Sequence, residues 1–276
     1  MRDEIAVNFR QLEVAPTLAK TKRLQCERRY RDNNGLFFVE GIRNFIAAVD
    51  HGFTIDTLLY SERLLISSIA RKLVRRLKRA GVPFARVSPE QFRIISQTER
   101  ASGVAAIVRQ RVQRLDQIKP SEHICWTVLS NIRSLGNLGT LLRTSAAIGA
   151  SGFILIGDSI DPFDPKVVRA TMGAIFKQGI IRTTAKQFHR WIQLHNLQVI
   201  GASPAGLVDY DQVRYTPPTI LILGNERSGL TQDQQLICQQ IVRIPMIAGM
   251  DSLNVSVAGS LLLYEVFRSL PNNIRS

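Results

Sequence analysis

Apolar and polar positions along this chain fall into short blocks that switch between two periods. From residue 36 to residue 108, brief apolar runs alternate with stretches of helical spacing, which predicts strands and helices in turn. FFVEGIRNFIAAVDHG reads as a strand and then an amphipathic helix ending at Gly52, and TIDTLLYS reads as a strand. Next, Ile66, Ile69, Ala70, Leu73, Val74 and Leu77 recur at helical spacing, which leaves Arg71, Lys72, Arg75, Arg76, Lys78 and Arg79 on the outer face. VPFARVS predicts a strand, Pro89 opens a short helix, and GVAAIV closes the set. A basic helical arm precedes this small α/β domain, and LDQIKP reads as the linker after it.

The second half carries clearer punctuation. ICWTVLSNI, GFILIGD, LQVIGAS, PTILILGNE and VRIPM predict strands. NLGTLLRTSAAIGA, PKVVRATMGAIF, KQFHRWIQLHN, TQDQQLIC and SLNVSVAGSLLLYEVFRSL predict helices. Strands that are apolar on both faces and spaced by helices imply a parallel sheet covered on both sides. The expected division is therefore 1–117 and 118–276, and the length of 276 residues agrees with two domains of about 150 residues each.

Composition narrows the function. Uncharged stretches are either short or polar: residues 144–157 are broken by Ser and Gly, and residues 191–208 carry Gln, His, Asn and Pro, so a membrane span is not expected. The opening MRDEIAVNFR lacks a secretory apolar region, and the cytoplasm is the expected location. Cys26, Cys125 and Cys238 are scattered and form no C-x-x-C, and the four histidines form no ligand spacing, so neither a disulfide framework nor a metal site is expected.

Lys and Arg number 36 against 22 acids, a formal net charge of +14. Residues 1–117 hold 22 of those cations and 12 acids, so +10 of the surplus lies in the first domain. It concentrates in KTKRLQCERRYR and RKLVRRLKR, where few acids balance it, and an acidic partner such as RNA is implied. Arg28 and Arg29 in the first run, and Arg71, Arg75, Arg76 and Arg79 in the second, are the candidate RNA contacts.

Three segments of the second half gather glycine, asparagine and a few polar side chains at strand ends, where open α/β sheets bind ligands. SNIRSLGNLGTLLRTS holds Gly136 and Gly139 for a strand-to-helix turn, Asn137 as a possible helix cap, and Arg143 within the helix. LILGNERSGL opens a buried strand into Gly224, Asn225 and Glu226, the carboxylate serving either a site or a helix start. IPMIAGMDSLNVSVAGS puts Ser252 and Asn254 at the start of a long apolar helix, as caps or as site residues.

Together these segments resemble the SpoU (TrmH) family of RNA ribose 2′-O-methyltransferases within the SPOUT superfamily. Asn131, Asn137 and Arg143 meet the family's N-x5-N-x5-R spacing, residues 224–230 its G-N-E-x-x-G-L, and residues 244–258 its I-P-M…S-L-N-V-S-V-A. FFVEGIRNFIAAVDHG and SGVAAIV are similar to the family's N-terminal RNA substrate-binding domain, which is related to ribosomal proteins of the L7Ae type. The resemblance implies a SPOUT domain with a C-terminal trefoil knot, S-adenosylmethionine as methyl donor, and a homodimer. It implies donor contacts at Gly224, Ile244 and Leu253, and catalytic positions at Arg143, Asn137, Glu226, Asn254 and Ser252. Ser134 and Leu135 depart from the Asp-Pro or Asn-Pro common before the first Gly-Asn, and Arg227 stands where glycine is common. Ribosomal RNA is the expected substrate; transfer RNA, base methylation, and a catalytically silent assembly factor of the same fold are the alternatives.

Overall fold

The structure, a computed structural model, describes residues 10–120, 124–247 and 250–271. The first nine residues and His123 lie outside it. The chain divides into two compact units, Met1–Arg111 with Phe163–Phe176, and Val112–Pro162 with Lys177–Ser276.

The first unit opens with α1 (Val14–Cys26) and α2 (Arg28–Asn34), the expected helical arm. β1 (Leu36–Glu40), α3 (Ile42–Asp50), β2 (Ile55–Tyr60), α4 (Ser68–Arg79), β3 (Phe84–Arg86), α5 (Pro89–Ile95) and β4 (Val104–Arg109) follow in the order the pattern predicts. Their sheet runs β1-β4-β2-β3, antiparallel except between β2 and β3. Alternate strand residues feed two cores: Phe37, Val39 and Ala106 pack with Phe45, Leu73 and Val74 of α3 and α4, whereas Phe38, Ala105 and Ile107 pack with Leu24, Phe92 and Ile95 of α1 and α5.

The charges of this unit separate into two kinds. In the arm, Lys20 sits 2.8 Å from Asp56, Arg23 3.0 Å from Glu27 and Arg28 3.3 Å from Asp32. Arg31 is buried, donates to the Leu24 carbonyl at 2.7 Å and lies 3.5 Å from Asp164. The arm was expected to lack balancing acids, but its partners come from other segments or one turn away and leave Arg29 exposed. On α4, by contrast, Lys72, Arg75, Arg76 and Arg79 are exposed and make no ion pair among the described residues. Lys78 is used internally, donating to the Tyr60 hydroxyl at 3.0 Å above the Phe84 ring, and Arg71 donates to the Leu65 carbonyl. The apolar stripe of α4 is narrower than expected: Ala70, Leu73 and Val74 are buried, but Ile66 precedes the helix and Ile69 faces solvent.

The second unit begins at residue 112 and takes in the LDQIKP stretch, residues 115–120, expected as linker. Gln113 bridges to Ile181 and Ile118 is buried in the core, so this stretch belongs to the fold it precedes. β5 (Cys125–Ser130), α6 (Leu135–Ala147) and β6 (Gly152–Ile156) follow. The chain then leaves for the first unit, forming α7 (Pro165–Ala170) and a 3-10 turn (Ala174–Lys177). There Phe163, Val168, Ile175 and Phe176 join the core of Phe37 and Phe45. The expected boundary at 117/118 leaves this excursion with the second unit; its apolar pattern states that it is buried but not against what. The expected single helix is also interrupted, by Met172 and Gly173 at φ +52° and +96°.

The chain returns as β7 (Gly179–Thr183), α8 (Ala185–Leu194), β8 (Gln198–Ala202), β9 (Val208–Asp209), β10 (Thr219–Leu223), α9 (Gln232–Ile237), β11 (Gln240–Arg243) and α10 (Val255–Arg268). β7 and β9 were not expected. The seven strands are all parallel, in the order β7-β6-β5-β10-β8-β11-β9. Trp126, Val128, Ile154 and Ile222 meet Phe188, Trp191 and Ile192 of α8, while Leu223 faces Leu141 of α6 and Gly259 of α10. Both faces are thus covered, as the doubly apolar strands require. Burial pushes the Cys125 thiol up to about 12, which fits a packing role. Among the described residues no helix is long and apolar enough to cross a membrane, and no cluster of His, Cys, Asp or Glu could hold a metal ion.

Candidate active site

The three glycine- and asparagine-rich segments converge at the carboxyl ends of the central strands of the second unit. β10 lies between β5 and β8 with Leu223 level with Leu129 and Ala202, so the loops after β5 and β10 leave the sheet side by side. In the first loop Asn131 takes φ +52°, a conformation asparagine tolerates better than most side chains. The helix cap is Ser134, whose hydroxyl accepts from the Asn137 amide at 3.3 Å, and not Asn137. Ser134, a departure from the family pattern, therefore performs the capping and leaves the Asn137 side chain free to reach outward.

Gly224 must lack a side chain, since a Cβ there would lie 2.2 Å from the Gly229 main chain. That close approach lets Asn225 and Gly229 exchange both main-chain hydrogen bonds at 2.9 Å. The Asn225 side chain secures the turn: its Oδ1 accepts from the Arg227 and Ser228 amides at 2.9 and 3.2 Å, and its Nδ2 donates to the Asn131 carbonyl at 2.9 Å. Asn225 thereby ties the second loop to the first. The sequence reading named it only as a motif member; its side-chain role is visible only once the two loops are adjacent.

One hydrogen-bond chain then crosses all three segments. Asn137 Nδ2 donates to Glu226 Oε1 at 2.6 Å, and Asn254 Nδ2 donates to Asn137 Oδ1 at 3.1 Å. Asn254 is also the N-cap of α10, its Oδ1 accepting from the Ser256 amide and hydroxyl at 2.8 and 2.6 Å. Glu226 Oε2 accepts from the Arg133 amide at 3.4 Å. Capping and site roles, alternatives for Asn254 in sequence, coexist in one side chain. Below this surface α6 and α10 are locked by a 2.9 Å contact between the Thr144 and Ser260 hydroxyls and by the close approach allowed at Gly259.

Asn137, Glu226 and Asn254 are thus brought together. Arg143, six residues further along α6, is exposed and has no ion pair among the described residues. Ser252 is exposed in the loop before α10 and makes no hydrogen bond among the described residues, so it is not a second cap. Of the candidate donor contacts, Gly224 is buried at the end of β10, Ile244 follows β11 and Leu253 is half-buried two residues before α10 begins. β8 lies between β10 and β11, so the loops carrying Gly224 and Ile244 emerge on the two sides of β8, at the same edge. No main-chain turn or loop hydrogen bond among the described residues involves 244–247 or 250–253. Half-buried aliphatic side chains at Ile244 and Leu253, beside the main chain of their loops, suit an adenosine and an amino-acid moiety. In the first unit, Arg71, Arg75, Arg76 and Arg79 line the exposed face of α4, while Arg28 and Arg29 lie on α2.

Comparison with known proteins agrees with this geometry. A family model described as the SpoU rRNA Methylase family matches residues 125–264, and one described as an MRM3-like substrate binding domain matches residues 16–106. The chain is 31% identical over 248 residues to the 23S rRNA (uridine(2479)-2′-O)-methyltransferase of Streptomyces viridochromogenes, covering 87% of this chain and 85% of that protein. Among solved structures it is similar to the AdoMet-bound rRNA methyltransferase from Sinorhizobium meliloti, with 32% identity, a TM-score of 0.85, and 95% of this chain and 98% of that one covered. It is also similar to the SpoU methyltransferase AviRb from Streptomyces viridochromogenes in complex with AdoMet, with 29% identity, a TM-score of 0.83 and coverage of 91% and 97%.

Proposed function

The chain belongs to the SpoU rRNA methylase family, and from that premise we infer that it is an S-adenosylmethionine-dependent RNA methyltransferase acting on a ribose 2′-hydroxyl of ribosomal RNA. The observation that carries the reading is the hydrogen-bond chain from Glu226 through Asn137 to Asn254, which unites three segments distant in sequence around one polar, partly exposed spot.

When bound, S-adenosylmethionine supplies a methyl group on a sulfonium, ready for in-line displacement. The main chain around Gly224, Ile244 and Leu253 holds it in this reading. A ribose hydroxyl is a weak nucleophile at neutral pH, so its oxygen must be positioned and its developing negative charge stabilised. Asn254 spends its Oδ1 on Ser256 and one Nδ2 hydrogen on Asn137, leaving one amide hydrogen to offer a ribose oxygen. Asn137 is held between Asn254 and Glu226, so all three keep fixed orientations before substrate arrives. The role of the Arg143 guanidinium is to grip the phosphate beside the target ribose and favour the forming alkoxide by charge. Ser252 lies at the mouth of the same loop and assists in placing the ribose.

The unit formed by residues 1–111 with 163–176 is assigned to RNA capture, and that formed by 112–162 with 177–276 to methyl transfer, with the C-terminal knot of its family. The exposed residues Val257, Leu261 and Tyr264 recur at one-turn intervals on α10 and support a homodimer. A cytoplasmic location is part of the proposal, argued from the RNA substrate.

Labelled S-adenosylmethionine incubated with ribosomal RNA from cells lacking the protein should transfer label that survives alkali as a resistant dinucleotide. Label in alkali-sensitive nucleotides would indicate base methylation, and no label from protein that binds S-adenosylhomocysteine would overturn the enzymatic reading. Neutralising Arg75, Arg76 and Arg79 together to Gln should weaken RNA binding and reduce its salt slope by about three phosphate contacts, leaving S-adenosylhomocysteine affinity intact. Unchanged RNA binding would return this face of α4 to an ordinary solvated surface.

A further inference from the structure

Beside the active loops, the second unit holds a cleft of about 960 Å³ that the methyl-transfer reading does not use. It opens at the carboxyl ends of β5 and β6, with Ser130, Asn131 and Ile156 at its base, α8 as one wall and α9 as the other. This is the edge of a parallel sheet where ligands are bound, and the volume is at the upper end of the usual range of about 300–1,000 Å³.

Three features describe what would fit. The floor is apolar, made by Ile156, Phe188 and Ile237. The rim on α8 presents Lys186, Arg190 and Gln193 at positions i, i+4 and i+7, one exposed stripe of a helix that contains no acid. Gln193 donates to the His189 ring 3.0 Å away, so that ring faces the cleft with its orientation set. On the opposite wall Asp233 is the single carboxylate of the lining among the described residues, with Thr231 and Gln234 beside it. Neither Lys186 nor Arg190 makes an ion pair among the described residues. An apolar floor under a cationic and amide-bearing rim suits a nucleotide, whose base seeks an apolar or aromatic surface and whose phosphate seeks cations.

The cleft is also continuous with the catalytic loops. Asn131 forms part of its wall and, through its carbonyl, anchors Asn225, the neighbour of Glu226. RNA is a polymer, so a strand with one ribose at Asn137 and Asn254 must run onward from it over the surface that adjoins those loops. We propose that this cleft is a second RNA subsite, which holds an unpaired nucleotide flanking the methylated one, its phosphate between Lys186 and Arg190 and its base over the apolar floor. The proposal rests on the ribose-methylation reading.

The test uses the full chain carrying Lys186→Gln and Arg190→Gln, two exposed changes on a helix held by Phe188, Trp191 and Ile192. With ribosomal RNA from cells lacking the protein as probe, KM for RNA should rise about tenfold, and the salt slope of binding should fall by about two. The kcat and S-adenosylhomocysteine affinity should stay at the wild-type level. Ribosomal RNA substituted with 4-thiouridine should crosslink, on irradiation, to the peptide spanning 185–193. Unchanged KM and salt slope in the variant, or crosslinks that avoid this peptide, would overturn the subsite. A wild-type protein that binds RNA but methylates none would overturn the activity reading instead, and the crosslinked peptide then decides the cleft by itself.

Discussion

Replacing Arg143 with Ala is expected to lower methyl transfer by about 10²–10³-fold or more, the usual cost of removing a group that stabilises developing negative charge. Binding of S-adenosylhomocysteine should be unchanged. The physical ground is that Arg143 contributes charge and little else in the resting protein. The buried face of α6 is carried by Leu138, Leu141, Leu142 and Ser145, whereas Arg143 is exposed and has no ion pair among the described residues. Truncating it removes no core contact, so lost activity cannot be blamed on unfolding. Arg143→Lys separates two versions of the role: a point charge alone would restore much of the rate, whereas a bidentate grip on phosphate would not survive the change. Single-turnover rates with saturating RNA measure this, and full activity in Arg143→Ala would remove Arg143 from the mechanism.

That prediction was open to sequence reading because the features behind it are local. β5, β6 and β10 are buried on both faces, so unbroken apolar runs marked them, and the glycines and asparagines after them stood out by contrast. The family resemblance named Asn137, Glu226 and Asn254 as a set, but their hydrogen bonds join residues 89 and 117 apart in the chain and could not be read from it. Chemistry that depends on packing was lost in the same way. Ser134 looked like a departure and proved to be the cap that frees Asn137. β7 escaped notice because GIIRT is short, lies at a sheet edge and contains Arg182, whose charge is satisfied by the buried Asp161 2.8 Å away. The arm looked nearly as short of acids as α4 because two of the acids that engage it, Asp56 at Lys20 and Asp164 at Arg31, lie far along the chain. Charge runs in sequence therefore mark candidate RNA surfaces only where the fold brings no acid to them, and α4 meets that condition.

The same dependence on distant partners sets the second large effect, which concerns stability. Phe176→Ala should cost the first unit about 3–5 kcal/mol, the range for deleting a buried aromatic ring. Phe176 is 4% exposed, stacks on Phe37 at 6.1 Å and meets Phe53 edge-on at 5.0 Å, and Phe163 packs on Phe37 from 4.9 Å. Among the described residues the aromatic contacts to Phe37 thus come from the excursion, a segment translated after the helices and strands of its own unit are complete. Two consequences follow from that order. A fragment ending at residue 117 would leave Phe37 and Phe53 without these partners and should bind RNA weakly or fail to fold. In the full chain, the loss in Phe176→Ala should be confined to one unit, because its ring contributes nothing to the core of Trp126, Ile154 and Phe188. Unfolding of two units is not one transition, so hydrogen exchange is the measurement that resolves them. Amides of β1 and β4 should lose protection while those of β5 and β10 keep it, and RNA affinity should fall with S-adenosylhomocysteine affinity preserved. Protection lost from β5 and β10 instead would mean that 163–176 supports the methyl-transfer sheet, and the assignment of the excursion to the RNA-capturing unit would fall.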